Sequence, residues 1–294
     1  MEPVRYIDRT RAYYLAEGYD KPYVWAHFDT VPFARLDKPL ADCRATIIST
    51  SDIDIRGNDG GDRDPSENFL VGNAYSIPSD TPVEALYSHQ ENYDVHATHL
   101  GDVDSYFPIT RLFEAVAAGR LGSVAARLHG VYTSYSQRRT SEHDAPEILE
   151  RCRADGVDVA VMTAICPVCH QTISLVARHL EANGIPTVVM GTARDIVEHC
   201  GVARFVFTDF PLGNPCGEPD DADMQRTIVG QALDLLETAT APRTTVQAPF
   251  SWSKGERWKN LIFSAEQPFL EGEAHEHWIA AKENYRRLKT DGAG

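Results

Sequence analysis

From Ala145 onward the chain alternates short apolar runs with amphipathic ones, and this alternation constrains its fold more than any other feature. "VDVAVMTA", "IPTVVMG" and "ARFVFTDF" are continuous apolar stretches of strand length, the pattern of parallel strands covered on both faces. Before, between and after them, "APEILERCRADG", "QTISLVARHLEANG", "ARDIVEHCG" and "ADMQRTIVGQALDLLETA" carry apolar residues at helical spacing, and the first three end on glycine. Alternation at these lengths predicts an α/β fold: a Rossmann-like parallel sheet with right-handed crossovers, flanked by helices.

The preceding region is less regular. An alternating β-branched run at 44–50 predicts a strand, "RGNDGGDRDPSEN" a loop, 70–77 a second extended piece, and "FPITRLFEAVAAG" a helix stopped at Gly119. The expected organisation is an N-terminal extension over 1–40, aromatic-rich and irregular, and a first α/β half over 41–144. A Rossmann-like half follows over 145–240, and a C-terminal tail over 241–294. The tail holds Trp252, Trp258 and Trp278 and is expected to wrap back over the core or to meet a partner.

A net charge of -15, from 28 basic and 43 acidic residues, repels phosphate backbones, so no nucleic-acid partner is expected. The N-terminus lacks the apolar core of a secretory signal, and no run of 18 apolar residues occurs, so no membrane partner is expected. The expected localisation is cytoplasmic, where thiols stay reduced. The six cysteines are then no disulfide framework, and a close pair is redox-active, catalytic or metal-binding.

That pair is Cys166 and Cys169 in "TAICPVCHQT", between a predicted strand and a predicted helix. A thiol at a helix N-terminus is acidified, so Cys166 is expected to attack and Cys169, one turn on, to resolve the adduct. In an open α/β sheet ligands bind beyond the carboxyl ends of the strands. His170, Arg194, Asn214, Cys216 and Glu218 lie on loops in that position and are expected to converge with the cysteines as substrate-binding residues. Arg194 is a candidate for gripping a carboxylate bidentately. His129, at the end of a predicted strand, is a further pocket candidate. Other readings of the pair stay open: a zinc or iron clip completed by Cys216 or histidines, two inert buried thiols, or a haem anchor through Cys166 to His170. His96 and His99, with Asp94 and Asp102, are a second place for a metal, set against a plain polar surface loop. No metal or other bound cofactor is the leading expectation.

Several segments resemble one family in order. They are "LADCRATIISTSDI", "IPSDTP", "YSHQENYD", "DVDSYFPITRLFEAVAAGRLGSVAARLHG", "RADGVDVAVMTAICPVCHQTISLVARHLEANGIPTVVM", "RDIVEH" and "FTDFPLGNPCGEP". Together they resemble the selenoprotein B subunits of the glycine, betaine, sarcosine and D-proline reductases, over roughly 40–240. The resemblance implies reductive cleavage of a carbon–nitrogen bond in a small molecule. It puts Cys166 where the family carries its catalytic selenocysteine and Cys169 at the family cysteine. It makes His89 a proton donor, and Tyr93 and Asp94 candidates for the pocket. It implies a partner subunit bearing a pyruvoyl group and a thiol electron donor such as a thioredoxin-like protein; the chain itself is expected to form a homo-oligomer. Alternatives from other classes are a metalloenzyme using Cys166, Cys169 and histidines, and a non-catalytic subunit of a reductase complex.

Overall fold

The computed structural model describes residues 1–16, 18, 21–57, 74–269 and 272–290. Most of the loop expected over 56–68 lies outside them. Among the described residues the core is an eight-stranded, mostly parallel sheet flanked by helices, which bears out the α/β fold class.

The elements in chain order are α1 (Tyr6–Ala16), β1 (Arg44–Ser49), β2 (Ile53–Ile55), β3 (Ala74–Pro78), β4 (Leu86–Ser88), α2 (Ile109–Ala117), β5 (Ser123–Val124) and β6 (Arg127–Val131). After them come α3 (Ala145–Ala154), β7 (Val159–Thr163), α4 (Pro167–Ala182), β8 (Thr187–Gly191), α5 (Arg194–Cys200), β9 (Arg204–Phe207), α6 (Ala222–Thr238), β10 (Thr244–Gln247) and α7 (Gly272–Thr290). The sheet runs β10-β9-β8-β7-β1-β6-β3, with β5 also on β1. Every pairing in it is parallel except β3 against β6.

The reason for the apolar runs is plain in the burial. All residues of β7, β8 and β9 are buried, and five of six in β1. Ile47 and Ile48 are fully buried at the sheet centre. Replacing either by alanine costs roughly 2–5 kcal/mol, as a cavity at a packed site does.

Strands from 41–144 and from 145–240 share this one sheet. β1 pairs with β7 over five residue pairs, Ala45↔Val159 to Ser49↔Thr163. Main-chain hydrogen bonds therefore join the two stretches, and a single hydrophobic core runs through both. From β1 the chain crosses to β6 on one side; from β7 it proceeds to β8, β9 and β10 on the other. The sheet's topological switch point lies between β1 and β7, where open α/β sheets place their ligands.

The N-terminal end of the chain differs from its sequence expectation, whereas the tail wraps back over the core as expected. The extension, expected to be irregular, contains α1. Its sequence is weakly amphipathic, and only Tyr6 and Thr10 are buried. A tertiary contact caps it: the Ile7 N–H donates to the Asp195 carboxylate at 2.8 Å. The tail adds β10 to the sheet edge and buries Trp252, Trp258, Phe263 and Phe269 against the core. Among the described residues no helix is long and apolar enough to cross a membrane.

Candidate functional site

Cys166 leaves β7 and becomes the N-cap of α4, with Pro167 at the first helical position. The Cys169 backbone N–H donates to Cys166 Sγ at 3.0 Å. The two sulfurs are joined as a disulfide, with Cα atoms 4.8 Å apart. The capping N–H and the helix dipole favour a thiolate on Cys166 once the pair is reduced. Cys166 is 4% exposed and lines a cavity of about 370 Å³; Cys169 stands behind it, fully buried.

The cavity sits over the carboxyl ends of β1, β6 and β7. Thr50 and Asp52 follow β1, Tyr132, Thr133 and Tyr135 follow β6, and Cys166, Pro167 and Val168 follow β7. A buried hydroxyl cluster sets how these loops depart. Thr163 Oγ1 donates to Ser49 Oγ at 2.7 Å, Ser49 and Ser51 hydroxyls are 2.7 Å apart, and the Thr50 N–H donates to the Thr163 carbonyl at 3.2 Å. Asp52 then takes a left-handed conformation, φ 50°, which an aspartate tolerates at a turn.

His89 reaches the same cavity on a two-stranded ribbon. β2 pairs antiparallel with β4, and the His89 N–H donates to the Asp52 carbonyl at 3.0 Å. His89 Nε2 lies 3.1 Å from Asp54 Oδ2, a contact that orients the ring. Gln90, next in the chain, donates its amide to Cys169 Sγ at 3.8 Å, a weak contact to a large atom. Thr133 Oγ1 is 3.0 Å from the same sulfur. The sequence reading missed Thr133 and Gln90. Gln90 lies inside the quoted "YSHQENYD" and was within reach; Thr133 carries no local signal.

The two ends of the chain complete the lining of the cavity. Thr10, Tyr14, Tyr23 and Trp25 line it from the extension, and Phe263, Phe269, His277 and Trp278 from the tail. Tyr14 stacks on Trp278 with ring centroids 5.8 Å apart, and His277 Nδ1 lies 3.5 Å from Glu91 Oε2.

Of the residues expected at the site, Cys166, Cys169 and His89 come together. The others stand elsewhere. His170 is fully buried beneath the cysteine loop; its Nδ1 is 2.6 Å from the Cys166 carbonyl, and its Nε2 accepts from the Thr192 and Ala193 N–H groups at 2.9 and 3.1 Å. That pattern requires a neutral ring with the proton on Nδ1. Burial pushes its pKa down to about 4. His129 is buried inside β6, not at its end. It faces Ser76 at 3.0 Å and Asp155 at 3.4 Å, and desolvation lowers its pKa to about 4.

Arg194 pairs with Glu198 at 3.0 Å rather than facing the cavity. Asn214 binds Thr98, Ser105 at 2.9 Å and the His99 carbonyl at 3.3 Å. Cys216 is fully buried, its N–H on the Ser105 carbonyl, and burial pushes its thiol well above the usual range. Glu218 accepts from the Ser253 N–H and hydroxyl at 2.5 Å each. Asp94 is buried and its carboxyl is raised to about 6 by desolvation; Tyr93 packs near Gly213. None of these eight lines the cavity. For Arg194, Asn214, Cys216 and Glu218 the physical reason is strand order: the cavity lies over β7, β1 and β6, and the loops after β8 and β9 lie on the other side of β7.

His96 and His99 are both exposed. Asp102 is engaged by the Asp220 N–H at 2.8 Å and the Gln225 amide at 2.6 Å. Among the described residues no set of three or more His, Cys, Asp or Glu is grouped to hold a metal ion.

Comparison with known proteins bears out the resemblance read from the sequence. The chain is similar to D-proline reductase subunit gamma of Acetoanaerobium sticklandii, 26% identical over 219 residues, covering 73% of this chain and 87% of the relative. It is similar to glycine reductase complex component B subunit gamma of Peptoclostridium acidaminophilum, 25% identical over 238 residues, 79% of this chain and 53% of the relative. The protein of the same description from Carboxydothermus hydrogenoformans is 28% identical over 251 residues, 82% of this chain and 56% of the relative. The chain thus spans about half the length of the two glycine reductase subunits. No family model matches the chain, and no solved structure matches it.

Proposed function

We propose that the chain is a thiol-dependent reductase subunit that cleaves a carbon–nitrogen bond of a small molecule. One observation carries the reading: Cys166 caps α4 and lines the cavity, and Cys169 stands within bonding distance behind it. The relatives, named as subunits of D-proline and glycine reductases, support a reductase role.

In the reduced protein the Cys166 thiolate attacks the carbon bearing nitrogen. A C–S bond forms, the C–N bond breaks, and its electron pair leaves on nitrogen; His89 supplies a proton to the departing amine. Cys169 thiolate then attacks Cys166 sulfur. The S–S bond forms, the C–S bond breaks, and the released carbon takes a proton. The substrate carbon gains two electrons, and two thiols become the disulfide. An external dithiol, supplied by a thioredoxin-like partner, restores the pair. Thr133 and Gln90 stabilise the Cys169 thiolate as it forms. A pyruvoyl-bearing partner subunit, as the resemblance implies, activates amines too basic to leave unaided.

The test is amine release followed by mass spectrometry, with dithiothreitol as the dithiol and a panel of amines as substrates. Cys166→Ser is expected to release none. Cys169→Ser is expected to stop at one thioether adduct per chain, on Cys166. Full turnover by Cys166→Ser would overturn the mechanism. A reduced pair that neither alkylates nor forms adducts would point to a non-catalytic subunit.

A further inference from the structure

The cavity beside Cys166 has a consistent chemical character. Tyr14, Tyr23, Trp25, Tyr132, Tyr135 and Trp278 all line it. Three of these rings meet nearly at right angles. Tyr23 crosses Trp25 at 81° with centroids 4.9 Å apart, and crosses Tyr135 at 87° with centroids 5.8 Å apart. Perpendicular rings present both faces and edges to the space they enclose, and the faces carry the negative side of the ring quadrupole. Asp52 and Glu91 add carboxylates to the same lining. Among the described lining residues there is no lysine or arginine, and Arg194, expected to hold a substrate carboxylate, is paired with Glu198 outside the cavity. The molecule as a whole carries a net charge of -15.

These features select for positive charge. An alkylated ammonium sheds its weak hydration easily and gains from ring faces, whereas a ligand carboxylate would meet Asp52. We propose that the cavity takes an N-alkylated organic cation without a carboxylate, held by the ring faces, with the carbon next to nitrogen toward Cys166. The inference rests on the reductase reading for what happens next. The thiolate forms the C–S bond, the C–N bond breaks with its electron pair going to nitrogen, and the cation leaves as a neutral amine. The walls that make this selection come from the N-terminal extension and the tail as well as from the loops after β1 and β6.

The test is isothermal titration of the full chain with three probes of like shape: choline, its neutral isostere 3,3-dimethyl-1-butanol, and the zwitterion glycine betaine. Choline is expected to bind at least roughly tenfold more tightly than either of the others, the size of a desolvated cation–π contact. Trp278→Leu is expected to lose most of that preference. Tyr23→Phe keeps the ring and is expected to retain it, which separates ring recognition from a fold defect. Equal binding of the neutral isostere, or tighter binding of the zwitterion, would overturn the inference.

Titrating the double variant Cys166→Ser, Cys169→Ser separates this inference from the reductase reading. Choline binding to it, with no amine released by the reduced native protein from any member of the panel, would sink the reductase reading and keep the cation site. Amine release only from carboxylate-bearing substrates, with no choline binding, would do the reverse.

Discussion

The two cysteines sit three residues apart and differ in what surrounds each sulfur. Cys166 Sγ has the backbone N–H of Cys169 and an opening to the cavity; Cys169 Sγ has the Thr133 hydroxyl at 3.0 Å and the Gln90 amide. A hydrogen bond to a charged group is worth about 1.5–3 kcal/mol, so the hydroxyl favours a Cys169 thiolate. In a Cys166→Ser background, Thr133→Val is expected to slow iodoacetamide alkylation of Cys169 at neutral pH by about fivefold or more, the size of a lost hydrogen bond to a charged group, and an unchanged rate would remove Thr133 from the mechanism. His89 is the other residue with a proposed chemical role. His89→Gln is expected to slow single-turnover amine release by about a hundredfold or more, the usual worth of a positioned acid. Alkylation of Cys166 in that variant should proceed at the native rate; a parallel fall in both would mean that His89 shapes the cavity instead.

At the scale of elements, His170 ties the start of α4 to the loop between β8 and α5. It does so as a neutral ring, accepting from two backbone N–H groups and donating to the Cys166 carbonyl. The fit is close: a Cβ at Gly191 would stand 2.7 Å from the ring. The folded pKa, about 4, lies below the ordinary 6.5. Above pH 6.5 the ring is neutral folded or unfolded, and the full contribution to stability is present. As pH falls toward 4 the unfolded chain takes up a proton that the folded chain refuses, and stability is lost, by about 3 kcal/mol at most.

His129 acts in the same window and direction, while the buried Asp94 and Asp144, with carboxyls raised to about 6 and 7, act oppositely. The slope of the whole protein is therefore a sum, and a variant is needed to isolate His170. His170→Asn is expected to be less stable than the native chain at pH 7 and to approach it at pH 4.5, measured by urea unfolding. A stability difference that stays constant with pH would show that the ring is held by packing alone.

At the scale of the whole molecule, the site is a joint product of sheet topology and chain ends. α7 is held over the cavity by the half-buried Trp278–Tyr14 stack and the exposed Glu91–His277 pair, whereas the sheet beneath is fully packed. Truncation after Phe269 is expected to leave the cooperative melt within a few degrees of native, since the exposed pair contributes little and the sheet keeps its own core. It should speed iodoacetamide alkylation of reduced Cys166 by on the order of tenfold, as removal of a cover does. A collapse of the melt would instead make α7 part of the core.

Much of this protein was legible along the chain because the relevant physics is local. The apolar runs of β7, β8 and β9, the glycine stops of the helices after them, and a cysteine at a helix N-cap are each set by residues within a turn or two of one another. The sequence by itself therefore determined the fold class and the place of Cys166 at a helix N-cap with Cys169 one turn on, and the resemblance pointed to His89 near them. Neighbour choice in a parallel sheet is not local. Nothing within 44–50 states that β1 will pair with β7, because parallel partners are joined by long crossovers and selected by packing of the whole core. Only the tertiary structure decided that pairing, and it moved the switch point to β1 and β7. It placed Arg194, Asn214, Cys216 and Glu218 outside the cavity. It also brought Thr133, the extension and the tail over the thiol.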